Sequence, residues 1–209
     1  MKTVIWDYNG TIIDDVQLCL DIERNMLKQR NMRFDFTMED YRSMFCFPVI
    51  DYYRKIGYTF ENETYDEISV EFNDMYDNGF AACRLMDGFI EKINESREKG
   101  HRNVILSAAR HDKLVEQCAQ LGIASFFDEI LGTDNLLAGS KIDMAKRWMA
   151  KSETEPMECM FIGDTLHDYE TALALGIGNI FLTCQGHQDY ETLKKANAHV
   201  VHSLKEVEI

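Results

Sequence analysis

The sequence has few positive charges, only two prolines and no long apolar run. Its 22 lysine and arginine residues stand against 36 aspartate and glutamate residues, which gives a formal net charge of −14. Because such a surface repels nucleic acid and anionic membranes at long range, we expect neither as a partner. No apolar stretch reaches membrane-spanning length, and none at the amino terminus resembles a signal peptide. The sequence therefore predicts a cytoplasmic protein.

The six cysteines form neither a C-x-x-C pair nor a cluster with metal-ligand spacing. This scattered pattern is typical of reduced core thiols in an intracellular protein. No repeat or low-complexity tract indicates a flexible linker. A chain of 209 residues with 45% apolar content fits one large domain or a domain with a sizeable insertion.

The stretch from Val4 to Asp15, V-I-W-D-Y-N-G-T-I-I-D-D, carries the strongest local signal. Three apolar residues run into Asp7, which is typical of a buried parallel strand with a reactive group at its carboxyl end. Open α/β sheets place their active sites at such ends. The Asn-Gly pair at positions 9 and 10 leaves a hairpin as the alternative.

Residues 15–80 contain only helical patterns. The predicted helices cover residues 16–27, 37–45, 49–56 and 68–78. A capping box of Thr37 and Asp40 would begin the second helix, and Pro48 would lie in the first turn of the third. We therefore expect a small helical bundle of roughly 65 residues.

From Asp87 onward, helices and strands alternate. The predicted strands cover residues 103–106, 129–131, 159–162, 180–183 and 198–201. Alternation at this spacing predicts a parallel sheet with helices on both faces and right-handed crossovers. The fold class is therefore α/β, with a doubly wound core from residues 1–14 and 81–209 and an inserted helical module at 15–80.

Several polar residues follow predicted strands or begin predicted helices at one edge of that sheet, namely Asp7, Ser107, Lys141 and the pair Asp164 and Asp168. A carboxylate nucleophile can attack phosphorus and form an acyl phosphate. Lys141 and Ser107 could then donate to the phosphoryl group, and the acids could bind Mg²⁺. Alternatively, Asp164 and Asp168 are only an N-cap and a first-turn acid.

These motifs together resemble the haloacid dehalogenase superfamily. They are D-Y-N-G-T at 7–11, a strand ending in Ser107, Lys141 at a helix start, and G-D-T-x-x-D at 163–168. The helical module after the first motif resembles the cap domain of phosphoglycolate-phosphatase-type members. The resemblance implies a Rossmann-like core, a helical cap and Mg²⁺-dependent hydrolysis of a small phosphorylated metabolite, phosphoglycolate-like or another phosphomonoester.

The resemblance also implies roles for individual residues. Asp7 would be the nucleophile. The Mg²⁺ ligands would be Asp7, the backbone carbonyl of Asn9, Asp164 and, from the outer shell or through water, Asp168. The phosphoryl oxygens would be held by Thr11, Ser107 and the amide of Ala108. Lys141 would neutralise charge on Asp7 and on the phosphate.

Asn9 departs from the family pattern. Phosphatases of the family normally have an aspartic acid there, which protonates the leaving group and then activates water. An amide has no titratable proton, and general acid–base catalysis is typically worth about 10²- to 10⁴-fold. The enzyme would then favour leaving groups of low pKa, or recruit another acid such as Asp14, Asp15 or a cap residue.

Two other functions remain open at the sequence level. One is a catalytically impaired relative that binds a phosphorylated ligand or a protein partner, which Asn9 motivates. The other is a dehalogenase that attacks carbon, which the metal-type acids Asp164 and Asp168 disfavour. Either a monomer or a homodimer fits the sequence.

Further residues have weaker functional signals. Arg42, Tyr53 and Arg54 could contact an anionic substrate from the cap, although surface arginine is the simpler interpretation. His111 and His167 are loop histidines with possible functional roles. Gly186 and His187 follow a predicted strand and could touch the rim of the site.

Overall fold

The computed structural model describes residues 2–134, 141–152 and 154–209. The strands are β1 (Thr3–Trp6), β2 (Ile13–Asp14), β3 (Arg84–Leu85), β4 (Arg102–Arg110), β5 (Glu129–Thr133), β6 (Cys159–Gly163), β7 (Asn179–Thr183) and β8 (His199–Val201). The helices are α1 (Val16–Gln29), α2 (Met38–Met44), α3 (Val49–Lys55), α4 (Tyr65–Gly79), α5 (Phe89–Glu98), α6 (His111–Gln120), α7 (Ile142–Lys151), α8 (Leu166–Ala174) and α9 (Tyr190–Leu193).

Six parallel strands form the main sheet in the order β5-β4-β1-β6-β7-β8. Because side chains alternate along a strand, Trp6 packs into the core on one face and Ile5 into the core on the other. Both are fully buried. This arrangement confirms the predicted α/β fold. The hairpin alternative is wrong, because β1 pairs in parallel with β4 and β6.

The helices α1 to α4 lie between β2 and β3, which pair with each other in antiparallel orientation. The predicted capping box of Thr37 and Asp40 is present at α2. A second box, formed by Thr64 and Glu67, begins α4 earlier than the apolar pattern predicted. Pro48 caps α3 from outside its first turn. The domain boundaries at 14/15 and 80/81 stay a prediction.

Strand β4 is longer than predicted. The sequence placed its end at Ser107, but the strand continues to Arg110, with a shift of its register against β5 between Leu106 and Arg110. Such an irregularity locally disrupts the ladder and re-aims side chains, and it is common next to active sites. Ser107 therefore lies in the irregular part of a strand rather than after one.

The six cysteines are free thiols, four of them buried and two, Cys46 and Cys184, half-buried. Disulfides are therefore absent from the chain. Within the described ranges, none of the helices combines the length and the apolar character that a membrane crossing requires.

Candidate active site

The carboxyl ends of three neighbouring strands bring the predicted residues together. Asp7 follows β1, Ser107 lies in β4 and Asp164 follows β6, and β1 stands between the other two strands. Lys141, directly before α7, joins them. Since parallel strands present their carboxyl ends at the same edge, sequence order alone predicted this meeting.

Lys141 is the cation at the centre of the site. Its Nζ contacts Asp7 Oδ1 and donates to Asp168 Oδ1 at 2.6 Å and to the carbonyl of Leu106 at 3.1 Å. Burial alone would lower the pKa of this lysine, but the charges of Asp168 and Asp7 outweigh it and raise the pKa above its usual value. The side chain is therefore a protonated, fully paired ammonium group at neutral pH.

Three carboxylates surround a possible metal position. Asp7, Asp164 and Asp168 each offer an oxygen within 4.8 Å of the others, and all three residues are buried. Burial and the charge of Asp168 raise the pKa of Asp7, and the ammonium group of Lys141, which pairs with the ionised form of Asp7, opposes that shift. Burial also raises the pKa of Asp164 to about 7, although His187 opposes that shift. An oxygen-only set of this kind fits a hard cation such as Mg²⁺.

Both carboxylate oxygens of Asp168 already accept hydrogen bonds from the protein. Its Oδ2 accepts from the amides of Asp164 and Thr165 at 3.1 and 2.9 Å and from the Thr165 hydroxyl at 2.7 Å. Thr165 and Asp168 thereby form the capping box of α8, so the interpretation as a helix-start acid holds for Asp168 but not for Asp164. Because Asp168 also binds Lys141, it is suited to orienting that lysine and to an outer-shell position.

Asp164 is fixed by close packing of the backbone around it. Gly10 has a φ of +72°, and a Cβ there would lie 2.3 Å from Asp164 Oδ2. Only glycine adopts this positive φ without strain and has no Cβ to collide with Asp164. Thr11 donates its hydroxyl to Asp164 Oδ1 at 3.1 Å, and the amide of His187 donates to Oδ2 at 2.6 Å. The Thr11 hydroxyl is thus hydrogen-bonded to Asp164, and binding of a phosphoryl oxygen by Thr11 stays a prediction.

Ser107 and Ala108 line the same cavity as Asp7. The Ser107 hydroxyl oxygen accepts from the amide of Ala109 at 3.0 Å, which leaves its proton for another acceptor. These two residues lie in the irregular part of β4, where the chain departs from the ladder with β5. This position suits donors that face a bound anion.

Asn9 belongs to a buried polar network. Its Nδ2 donates to Asp15 Oδ2 at 2.8 Å and to the Tyr76 hydroxyl at 2.9 Å, and that hydroxyl donates to the same oxygen of Asp15 at 2.8 Å. The amide of Gly10 donates to Asp15 Oδ1 at 2.9 Å. Burial would raise the pKa of Asp15, but contacts with His187, Asn9 and Tyr76 lower it. Asp15 is therefore an ionised acceptor, poorly suited to act as a proton donor.

His187 connects this network to the cap. Its Nε2 lies 3.3 Å from Asp15 Oδ1, and its Nδ1 is hydrogen-bonded to the Tyr41 hydroxyl at 2.8 Å. Burial would lower the pKa of His187, but the neighbouring carboxylates, chiefly Asp15, raise it to about 9. Sequence reasoning placed His187 only at the rim of the site and did not identify Tyr76. Their partners are too distant in sequence to give any local signal.

The other candidates fall into three environments. Arg42 donates to the carbonyls of Gln185 and Gly186 at 2.6 and 2.8 Å, whereas Arg54 is exposed and paired with Asp51 at 2.6 Å. The residues that line the cavity include Tyr53 and His167. His111 begins α6 and is exposed, as is Asp14, the other acid suggested as a replacement for Asn9. The two arginines therefore do not line the cavity as expected from a substrate-binding role.

Comparisons with known proteins agree with this architecture. The family model described as haloacid dehalogenase-like hydrolase matches residues 4–182. A phosphoglycolate phosphatase of Vibrio vulnificus (strain CMCP6) is 21% identical over 192 residues, which cover 88% of this chain and 84% of that protein.

Solved structures share the fold over almost the whole chain. A haloacid dehalogenase-like family protein from Streptococcus pneumoniae has a TM-score of 0.81 at 18% identity, covering 99% of this chain and 96% of its own. Protein tyrosine kinase A from Mycobacterium tuberculosis has a TM-score of 0.81 at 21% identity, covering 98% of this chain and 95% of its own. At these identities the likeness establishes the fold.

Proposed function

Because the chain belongs to the haloacid dehalogenase-like hydrolases, we propose that it is a Mg²⁺-dependent phosphatase that acts on a small phosphorylated metabolite through an aspartyl-phosphate on Asp7. The observation that carries the proposal is the contact between Asp7 and the ammonium group of Lys141 at the carboxyl end of β1. A carboxylate paired with a fixed cation, with two more acids beside it, is arranged for attack on phosphorus rather than for stability alone.

The proposed reaction has two displacement steps. A carboxylate oxygen of Asp7 attacks phosphorus, the bond to the leaving group breaks, and that group departs with its electron pair. Water then attacks the phosphoryl group, which releases inorganic phosphate and restores Asp7. Lys141 remains protonated and balances the charge that passes between Asp7 and the phosphoryl oxygens.

Mg²⁺, when bound by Asp7, Asp164 and the carbonyl of Asn9, supplies a positive charge that draws the phosphate to the nucleophile. Asp168 orients Lys141, and Ser107 with the Ala108 amide binds the phosphoryl oxygens. Asn9 cannot supply a proton to the leaving group. The reaction therefore proceeds with leaving groups that depart as anions.

The proposal is tested with acetyl phosphate, whose leaving group needs no proton. We expect phosphate release by the wild type that requires Mg²⁺ and is lost in Asp7→Asn. The matched control is Asp66→Asn, because Asp66 is an exposed carboxylate outside the cavity lining, and it should retain wild-type rates. Equal phosphate release by Asp7→Asn and the wild type would refute the assignment of Asp7 as the nucleophile.

A second candidate function is a phosphate-ligand-binding protein with little turnover. It is favoured by the commitment of the Asn9 amide to Asp15 and Tyr76. The same assay distinguishes the two functions. Binding of inorganic phosphate without hydrolysis of acetyl phosphate would favour the binding protein.

A further inference from the structure

The cavity that contains Asp7 extends from the sheet edge into the helical cap. One wall is formed by Asp15, directly before α1, and by Cys19 and Glu23 on α1. These residues are spaced by four, so they lie on one side of the helix and span roughly 12 Å. The free volume is about 180 Å³, and one water needs only about 10–15 Å³ of such space. The cavity can therefore hold a group much larger than a phosphate.

Half of the cap residues that line the cavity are aromatic. Its lining includes seven aromatic side chains of the cap, namely Tyr41, Phe45, Phe47, Tyr53, Tyr65, Phe72 and Tyr76. Aromatic rings pack best against another ring, in offset or edge-to-face arrangements, and one such contact is worth roughly 2- to 10-fold in affinity. This part of the site is shaped for a flat, apolar occupant.

The lysine and arginine residues of the lining already have acidic partners. Lys141 pairs with Asp7 and Asp168, Arg110 with Asp112 at 2.9 Å, and Lys113 with Asp77 at 3.0 Å. The ring of His187, which also lines the cavity, lies 3.3 Å from Asp15. A leaving group with its own carboxylate would therefore have to compete with these aspartates for a cationic partner.

A cationic leaving group is disfavoured by the state of Glu23, the acid at the cap end. Its carboxyl group accepts a hydrogen bond from the Tyr52 hydroxyl and is only 5% exposed. Burial raises the pKa of Glu23 to about 8. The carboxyl group is therefore mainly neutral at pH 7 and offers no full negative charge to a cation.

The amide of Asn9 also favours an aromatic leaving group. Without a proton donor, the bond to the leaving group breaks readily only when that group is a stable anion. A phenol has a pKa of roughly 10, far below that of water at about 15.7. An aryl oxide can thus depart where an alkoxide cannot.

From these contacts we propose that the cap cavity takes an uncharged aromatic leaving group, so that the substrate class is an aryl phosphate monoester. The inference rests on the proposed function for the phosphoryl end of the site. It differs from a phosphoglycolate-like substrate, whose leaving group carries a carboxylate.

Binding of non-hydrolysable phosphonates tests this proposal without requiring turnover. The probes are benzylphosphonate, phosphonoacetate, 2-aminoethylphosphonate and methylphosphonate, titrated by calorimetry in the presence of Mg²⁺. We expect benzylphosphonate to bind at least about 10-fold more tightly than methylphosphonate, with the two charged probes showing no comparable gain. Tightest binding of phosphonoacetate or of 2-aminoethylphosphonate would overturn the proposal, and so would equal binding of all four.

A pair of matched variants locates the aromatic site. Phe72→Ala removes a ring that lines the cavity, and Phe34→Ala removes a cap ring that is 43% exposed and outside the lining. The preference for benzylphosphonate over methylphosphonate should fall roughly 2- to 10-fold in the first variant and stay unchanged in the second. An unchanged preference in both would overturn the assignment. Hydrolysis of acetyl phosphate with equal binding of all probes would refute this inference while leaving the proposed phosphatase intact.

Discussion

The side-chain amide of Asn9 donates a hydrogen bond to the buried carboxylate of Asp15 at 2.8 Å. The residue that stands at the expected acid position is thus the donor in a pair whose acceptor lies six residues further on. The Tyr76 hydroxyl donates to the same carboxylate, and His187 Nε2 lies 3.3 Å from its other oxygen. An amide satisfies this arrangement, whereas a second carboxylate would place two acceptors against each other.

Replacement of Asn9 by aspartate should therefore destabilise the protein. Asn9→Asp loses the bond to Asp15 and brings two carboxylates together, so we expect the free energy of unfolding to fall by roughly 1–3 kcal/mol at pH 7. Urea unfolding measures the loss. The variant should also gain little phosphatase activity, because its new carboxyl group faces Asp15.

The double variant Asn9→Asp/Asp15→Asn is the control, because it exchanges donor and acceptor. We expect it to recover part of the stability lost in Asn9→Asp, which appears as a favourable coupling energy in a double-mutant cycle. Strictly additive losses in the cycle would show that the two side chains do not depend on each other.

The meeting of Asp7 and Asp164 at one edge of the sheet could be predicted from sequence, but this network could not. Asp7 and Asp164 follow apolar runs that identify buried strands, and parallel strands bring their ends together. The partners of Asp15 include Tyr76 and His187, which come from α4 and from the loop after β7. Their meeting depends on how the cap packs on the core, and no periodicity encodes that.

Removal of the Lys141 ammonium group should strongly destabilise the folded protein. Lys141→Met leaves Asp7 and Asp168 as buried acids without their partner, so we expect a loss of roughly 3–5 kcal/mol in the free energy of unfolding without metal. Mg²⁺ should restore part of it by supplying positive charge. Lys146→Met, at an exposed position of α7, should leave stability unchanged. Urea unfolding with and without Mg²⁺ checks this, and a Lys141→Met protein as stable as the control would contradict the account.

The buried carboxyl group of Glu23 should make the stability of the folded protein depend on pH. Its pKa is raised from 4.5 to about 8 by burial, so the folded state holds a proton that the unfolded state releases. Stability should therefore decline as pH rises above about 4.5, with the full cost of a few kcal/mol reached above about 8. Glu23→Gln cannot ionise and should lose less stability between pH 5 and pH 8.5, as measured by urea unfolding. Parallel losses in variant and wild type would exclude this assignment.

Arg42 should hold the cap against the core. Its guanidinium donates to two carbonyls of the loop after β7, at Gln185 and Gly186, and a bond with a charged donor contributes about 1.5–3 kcal/mol. In Arg42→Ala we expect faster amide hydrogen exchange in α2 and in residues 184–188. Arg54→Ala, which removes an exposed arginine of the cap, is the matched control. Unchanged exchange in Arg42→Ala would show that other contacts suffice.

Ser107 shows a different limit of sequence reasoning. The apolar run predicted that β4 ends at this residue, but the strand continues to Arg110 through a shift in register. Hydrophobic pattern reports which residues are buried, whereas register is set by pairing with a strand elsewhere in the chain. In α4, by contrast, Thr64 and Glu67 are a readable start signal that the apolar pattern alone did not use.

The most direct test of the nucleophile is to trap the phosphorylated enzyme. Because Asn9 cannot activate the hydrolytic water, the aspartyl-phosphate should form faster than it is hydrolysed and should accumulate during turnover of acetyl phosphate. Acid quenching followed by peptide mass spectrometry should find a phosphoryl group on Asp7 in the wild type and none in Asp7→Asn. Phosphate release that continues in Asp7→Asn, or a phosphoryl group on another residue, would contradict the account.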